Sequence, residues 1–219
     1  ALRNEAELLA AQPAPRRGVE DGALHVTRVV FVERRDDIAF CRDAVLHIAE
    51  QARPDVLINC AAYTKVDDCE TDEAEATRIN GDAVANLAEA ASRWNTLLIQ
   101  ISTDFVFDGA KARPYEVADK PSPLSAYGRS KLAGEIAAAK ATRHQIVRTS
   151  WLFGRNGWNF VEAIRKQVLS GKKELSVVDD QRGRPTYTPH LSAALIRLGM
   201  HGLGSAAAHR GIARAARNR

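Results

Sequence analysis

The sequence predicts an α/β protein built on a doubly wound parallel sheet, and three observations carry that expectation. Short β-rich apolar runs alternate with amphipathic stretches of helical length; strand–helix alternation with connections this long implies parallel strands. The run "DVLINC" (55–60) is nearly continuous in apolar character, as a strand buried on both faces should be. One long irregular stretch, residues 103–124, follows directly on an apolar strand. That is where open α/β sheets place their ligand crevices, and a loop of that length inside a domain is usually functional.

The elements follow in order. "VTRVVFVE" (26–33) reads as a strand and "RDAVLHIAEQA" (42–52) as a helix, before the strand at 55–60. A long helix is expected over 71–94, with Thr71 as N-cap and acids in its first turn to complement the helix dipole. "TLLIQIS" (96–102) is a third strand, and residues 125–140 form a helix capped by Ser125. "HQIVRTS" (144–150) is a fourth strand, and the helix over 156–171 ends at Gly171.

Composition narrows the function. A chain of 219 residues that is 45% hydrophobic supports one core, or one domain with a smaller lobe. The formal charge of +4 comes from Arg210, Arg214, Arg217 and Arg219, in a tail without acids, so the body offers no basic footprint for nucleic acid. Cys41, Cys60 and Cys69 have neither disulfide nor zinc spacing, which suits a reducing cytoplasm. Cys60, ending an apolar run, reads as a small buried residue. The sequence has no apolar run long enough to span a membrane and no visible secretory signal, so a cytoplasmic location is expected.

The segment "PLSAYGRSKLAGE" (123–135) places Tyr127 and Lys131 four apart at a helix start. On a helix they share a face, one turn apart. An ammonium there favours the phenolate and is expected to draw the tyrosine pKa down from about 10 toward working pH. Such a tyrosine can give a proton to a developing alkoxide. Thr103 and Ser102, at the end of the third strand, are expected to face this helix across the crevice and to supply a hydroxyl for the carbonyl oxygen. Alone, Tyr-x-x-x-Lys fits two solvated helix positions as well.

Five ordered blocks add weight: "RPDVLINCAAYTKVDDCE" (53–70), "STDFVFDG" (102–109), "PLSAYGRSKLAGE" (123–135), "RTSWLFG" (148–154) and "DQRGRPTYTPHLS" (180–192). With them the stretch from about Asp37 to Leu198 resembles the extended short-chain dehydrogenase/reductase family, in its dTDP-4-dehydrorhamnose reductase branch. The resemblance implies a Rossmann-like fold with a partial small substrate lobe. It also implies a reaction, NADPH- or NADH-dependent reduction of the 4-keto group of dTDP-6-deoxy-L-lyxo-4-hexulose to dTDP-L-rhamnose. By motif position Tyr127 is the proton donor, Lys131 holds the nicotinamide ribose, and Thr103 hydrogen-bonds the reacting oxygen. Ala61, Ala62, Tyr63 and Thr64 lie along the cofactor, Asp104 and Trp151 contact substrate, and "DQRGRPT" lines the nucleotide-sugar side. The implied partner is a dTDP-sugar, with a homodimer as the candidate assembly.

Each assignment has a plainer rival. Trp151 reads as core on composition, Asp104 as the cap of the following turn, and Asp67, Asp68 and Glu70 as a solvated helix start. His144 reads as structural.

The sequence departs from the family's pattern at both ends. Family members open with a glycine-rich turn, G-x-x-G-x-x-G, whose helix N-terminus receives the cofactor pyrophosphate. Before Gly81 this chain has only Gly18 and Gly22, wrongly spaced and after no apolar strand. The expected organisation is therefore an atypical segment over 1–36, a cofactor and catalytic domain truncated at its N-terminus over 37–155, a partial substrate lobe over 156–200, and a disordered Arg/Ala-rich tail over 201–219. The chain reads as a fragment, a disrupted reading frame or a diverged paralogue. Glu33 is the candidate for selecting NADPH or NADH. Two further readings stay open, a sibling nucleotide-sugar epimerase or dehydratase, and a non-catalytic binding subunit of the same fold.

Overall fold

The computed structural model describes residues 41–204 except 156, 158 and 178, together with the strand backbones at 15–16, 25–26, 29–32 and 210–214. β1 (Pro15–Arg16) and β2 (His25–Val26) form a small antiparallel pair. β3 (Val29–Val32) then enters the main sheet, and α1 (Arg42–Ala52) leads to β4 (Val56–Asn59). α2 (Val66–Thr71), α3 (Glu73–Thr77), a π-turn at Arg78–Asp82 and α4 (Ala83–Arg93) follow as four consecutive pieces. β5 (Leu97–Thr103) ends in a 3₁₀ turn at Asp104–Val106, and α5 (Ala126–Ala138) leads to β6 (His144–Thr149). Beyond it lie β7 (Leu152–Phe153), α6 (Phe160–Leu169), β8 (Thr186–Tyr187), α7 (Thr188–Gly204) and β9 (Arg210–Arg214).

The sheet runs β3-β4-β5-β6-β9, and every neighbouring pair in it is parallel. Alternation along its buried strands sorts the core onto two faces. Leu57, Leu98 and Ile146 pack against α1, α4 and α5 through Val45, Leu46, Val84, Leu87 and Ala138. Val56, Ile58, Leu97, Ile99 and Val147 face the other way, onto Leu191 and Leu195 of α7. Helices on both faces make the sheet doubly wound. β7 and β8 pair in parallel outside it as a separate two-stranded sheet.

Several local expectations change. The helix expected over 71–94 is broken, and its cap is Asp72, which accepts the Glu75 N–H at 3.0 Å, while Thr71 ends the preceding α2. The π-turn arises where α5 crosses this helix. A Cβ on Gly134 would come within 2.1 Å of the Asn80 carbonyl oxygen, so only glycine allows that approach. Ser125 caps α5 as expected, accepting the Gly128 N–H at 3.0 Å.

Within the tail expected to be disordered, Arg210–Arg214 forms β9 against His144–Arg148. Composition hides this strand because Ile212 is its only β-branched residue. Its pairing satisfies the outer edge of β6. At the other side of the sheet, β3 supplies a neighbour for β4 from within the atypical first segment. Glu33 lies outside the described residues.

Candidate active site

The site forms where β4, β5 and β6 end and α5 begins. Ser102 and Thr103 are the last residues of β5, both buried. Thr103 is the cap of the 3₁₀ turn: its Oγ1 accepts the Phe105 N–H and donates to the Asp104 carboxylate, both at 3.2 Å. Asp104 therefore is not the cap; its carboxylate is an acceptor at the edge of a cavity. The Thr103 hydroxyl also lies close enough to the Tyr127 hydroxyl to pull its pKa down, so the structure brings together the two hydroxyls picked out in the sequence.

Tyr127 stands in the first turn of α5, 9% exposed, its ring edge-on to Phe105 with centroids 5.5 Å apart. Burial pushes its phenol pKa up from 10.0 to about 12, against the smaller downward pull of the nearby Thr103 hydroxyl. The expectation that Lys131 draws this pKa down is therefore corrected for the chain by itself. Lys131 is 4% exposed, and its Nζ donates to the Ile101 carbonyl at 2.7 Å. Burial lowers the Lys131 pKa from 10.5 to about 8, partly opposed by Glu135 and by Cys60. Near neutral pH the pair is thus a neutral phenol and a charged ammonium.

The run after β4 is held in place by two asparagines that sequence reasoning passed over. Asn59 Oδ1 accepts the Ala61 N–H at 3.1 Å, and Asn59 Nδ2 donates to Gln100. Asn80, in the π-turn, accepts the Tyr63 N–H at 2.9 Å and donates to the Tyr63 carbonyl and to Ser130 Oγ. Ala61, Ala62 and Tyr63 are half-buried along this run, and Thr64 is exposed. Cys60 is exposed, against the expectation of a buried thiol, while Cys69 is buried beneath Tyr127. Glu70, expected to be merely solvated, accepts the Ala126 N–H at 2.7 Å and so pins the start of α5 from α2. His144 is structural: its Nδ1 meets the Ala141 carbonyl at 2.9 Å.

A cavity of about 710 Å³ opens at Asp104, Phe105 and Ser125, which neighbour Thr103 and Tyr127 in the chain. One wall is the 104–124 loop, ordered by Phe107 stacked on Tyr115, by the Tyr115–Asp108 hydrogen bond and by the Lys111–Asp119 ion pair. The opposite wall is "DQRGRPT" together with Trp151. Trp151 is 44% exposed with φ +47°, a strained setting for a tryptophan, so it is a cavity residue rather than core. A Cβ on Gly183 would lie 2.7 Å from its ring, so the backbone of that segment rests directly on the indole. Ser150 Oγ donates to the Arg184 carbonyl at 2.6 Å and fixes the same segment. Among the described residues no group of three His, Cys, Asp or Glu is placed to hold a metal ion, and no helix is long and apolar enough to cross a membrane.

A hydroxyl pair at a strand end, a buried ammonium one helical turn away and an adjoining cavity can protonate a bound carbonyl oxygen. Comparisons point the same way. The family model for the RmlD substrate binding domain matches residues 24–211, wider than the stretch covered by the motifs. The chain is 44% identical over 174 residues to the dTDP-4-dehydrorhamnose reductase of Sinorhizobium fredii, covering 78% of this chain and 58% of that protein. To the enzyme of the same name from Mycobacterium tuberculosis it is 44% identical over 167 residues, with coverages of 72% and 55%. The solved structure of dTDP-4-dehydrorhamnose reductase from Bacillus anthracis, in complex with NADP, superposes with a TM-score of 0.74 at 35% identity, covering 80% of this chain and 60% of that one. The chain thus spans less than two thirds of the length of these relatives. With the family match running over most of its length, the chain belongs to the RmlD substrate-binding-domain family, alongside the dTDP-4-dehydrorhamnose reductases.

Proposed function

We propose that this site serves the NADPH- or NADH-dependent reduction of the 4-keto group of dTDP-6-deoxy-L-lyxo-4-hexulose to dTDP-L-rhamnose. The observation that carries the reading is the closeness of the Thr103 and Tyr127 hydroxyls, next in the chain to Asp104, Phe105 and Ser125 of the cavity lining, with Lys131 buried one turn further along α5. Reduction of a ketone delivers a hydride to carbon and a proton to oxygen. Tyr127 is suited to the proton: burial keeps it protonated at neutral pH, and the Thr103 hydroxyl lies near its own. As charge builds on the carbonyl oxygen, the single Thr103 proton can turn from Asp104 to it as a second donor, and such donors act most strongly away from water.

A nicotinamide cofactor supplies the hydride when bound. The residues present fit its nicotinamide end. Of the three N–H donors of Lys131, one goes to the Ile101 carbonyl, which leaves donors for ribose hydroxyls. Ala61 and Ala62 put no bulk along the crevice, and Asn59 and Asn80 hold that run from behind. On the substrate side the Trp151 indole offers a flat apolar surface and Asp104 an acceptor for a sugar hydroxyl. A cytoplasmic location, expected from the cysteine usage of the sequence, is part of the same reading.

The test is product formation from dTDP-6-deoxy-L-lyxo-4-hexulose with NADPH or NADH, read by mass spectrometry of the nucleotide sugar. It is run on the chain as it stands and on a version in which a relative's glycine-rich unit precedes β4. Appearance of dTDP-L-rhamnose is the expected result; no product from either version contradicts the reading.

A further inference from the structure

Glu135 closes the motif that carries Tyr127 and Lys131, yet the chemistry above gives it no task. Its side chain is buried, the residue being 4% exposed, and its carboxylate receives three hydrogen bonds. Ser102 Oγ donates to Oε1 at 2.6 Å, Arg148 Nε to Oε1 at 2.8 Å and Arg148 Nη2 to Oε2 at 2.6 Å. Such a buried pair is weak evidence for stability, because desolvation offsets the Coulombic gain. What it fixes is position. Lys131 sits on the carbonyl of Ile101 and Glu135 on the hydroxyl of Ser102, so one turn of α5 grips two successive residues of β5. Arg148 ties the same carboxylate to β6 and lays its guanidinium over the ring of Phe107, 4.9 Å from the centroid, at the cavity wall.

We propose that Glu135 is a positioning residue: it is the counter-charge of Lys131 and, through Ser102 and Arg148, the clamp that sets the Tyr127–Lys131 face of α5 against the sheet. The ionisable groups that bear on Lys131 are Glu135 on its own helix and Cys60 at the end of β4. Arg148 of β6 faces the Glu135 carboxylate, and Asp104 of the 3₁₀ turn bears on Tyr127. Of the charged groups on the helices packed beside α5, Glu70 is engaged with the Ala126 N–H, Glu73 with Arg129 and Glu75 with Arg78.

The proposal rests on reading Lys131 as the cofactor-side cation, but its test observes Lys131 directly, so a chain that reduces no dTDP-sugar still answers it. The 219-residue chain is labelled with ¹³C at lysine Cε, and the Lys131 resonance is assigned by its loss in Lys131→Met. The variant that removes only the carboxylate charge is Glu135→Gln, and Glu135→Gln/Arg148→Met, which removes both charges, is its control. In Glu135→Gln the Lys131 titration midpoint should move down by about one to three pH units, the usual effect of losing a close opposite charge, and in the double variant by less, because losing the Arg148 charge works the other way. An unmoved midpoint in folded Glu135→Gln overturns the proposal, and where that variant does not fold the native-chain measurement below decides. The native chain gives a second measurement that needs no variant: the Glu135 carboxyl ¹³C resonance should inflect at the Lys131 midpoint, and a flat response across that range overturns the pairing.

Discussion

Two stretches of the chain are built from different materials. Around the start of α5, Ser102, Thr103, Tyr127, Lys131, Glu135 and Arg148 are all buried, and hydrogen bonds to neighbouring strands, helices or one another hold them. In the sequence between β3 and α1, "ERRDDIAFC" (33–41), there is no glycine, and three acids stand beside two arginines. A family-type pyrophosphate site needs a glycine turn and a helix N-terminus. The comparison teaches that proton delivery and phosphate recognition belong to separate stretches of chain, so one can be complete without the other.

Calorimetry breaks or confirms that separation most visibly. Two missing charge-assisted hydrogen bonds to the pyrophosphate, at about 1.5–3 kcal/mol each, correspond to roughly 10²–10⁴ in affinity. The 219-residue chain should bind NADPH and NADH more weakly by that factor than a version carrying a relative's glycine-rich unit. A dissociation constant in the low micromolar range for the chain as it stands would show that residues 1–36 build a phosphate site of another kind.

Around α5, the buried and exposed ion pairs should part company. Arg148→Ala strands the Glu135 carboxylate in the interior and should cost about 3–5 kcal/mol in denaturant unfolding. Arg129→Ala removes a partner of Glu73 on the solvent side, where water and salt screen the pair, and should change the midpoint little. Equal effects from the two variants would mean that the interior pair is not dry.

A smaller effect, with a defined pH window, comes from Lys131. Because its folded pKa of about 8 lies below the unfolded value of 10.5, the unfolded chain binds more protons between those values, and stability rises with pH across that window. Burying the ammonium is costly below pH 8, and that cost is gone above pH 10.5. Lys131→Met should therefore be more stable than the native chain at pH 7, by at most roughly 3 kcal/mol, with the difference vanishing by pH 10.5. A difference independent of pH, followed by chemical denaturation from pH 6 to 10.5, would place Lys131 in contact with water.

Much of this was legible in the sequence. Apolar runs and amphipathic stretches marked β4, β5, β6, α1 and α5, and the Tyr127–Lys131 spacing marked the helix face that meets Thr103. Glu135, Arg148 and Asn80 were not singled out because a charged or amide side chain inside an element reads as solvent-facing until its partner from another element is known. Glu135 meets Arg148 only through the α5–β6 connection, and Asn80 meets Tyr63 across 17 residues. The direction of the Tyr127 pKa was misjudged for a related reason: spacing shows a nearby charge, while burial, the larger effect here, emerges only from packing against Phe105 and Cys69. β9 escaped notice because its pairing with β6, rather than its composition, makes it a strand.

The central claim is that Tyr127 gives the proton, and it is tested most directly by kcat for Tyr127→Phe. The measurement uses the version carrying a relative's glycine-rich unit, with dTDP-6-deoxy-L-lyxo-4-hexulose and saturating NADPH. Loss of a positioned acid predicts a fall of about 10²–10⁴ in kcat, with the fold intact by circular dichroism. Near-native turnover by Tyr127→Phe would contradict the account and remove Tyr127 from the reaction.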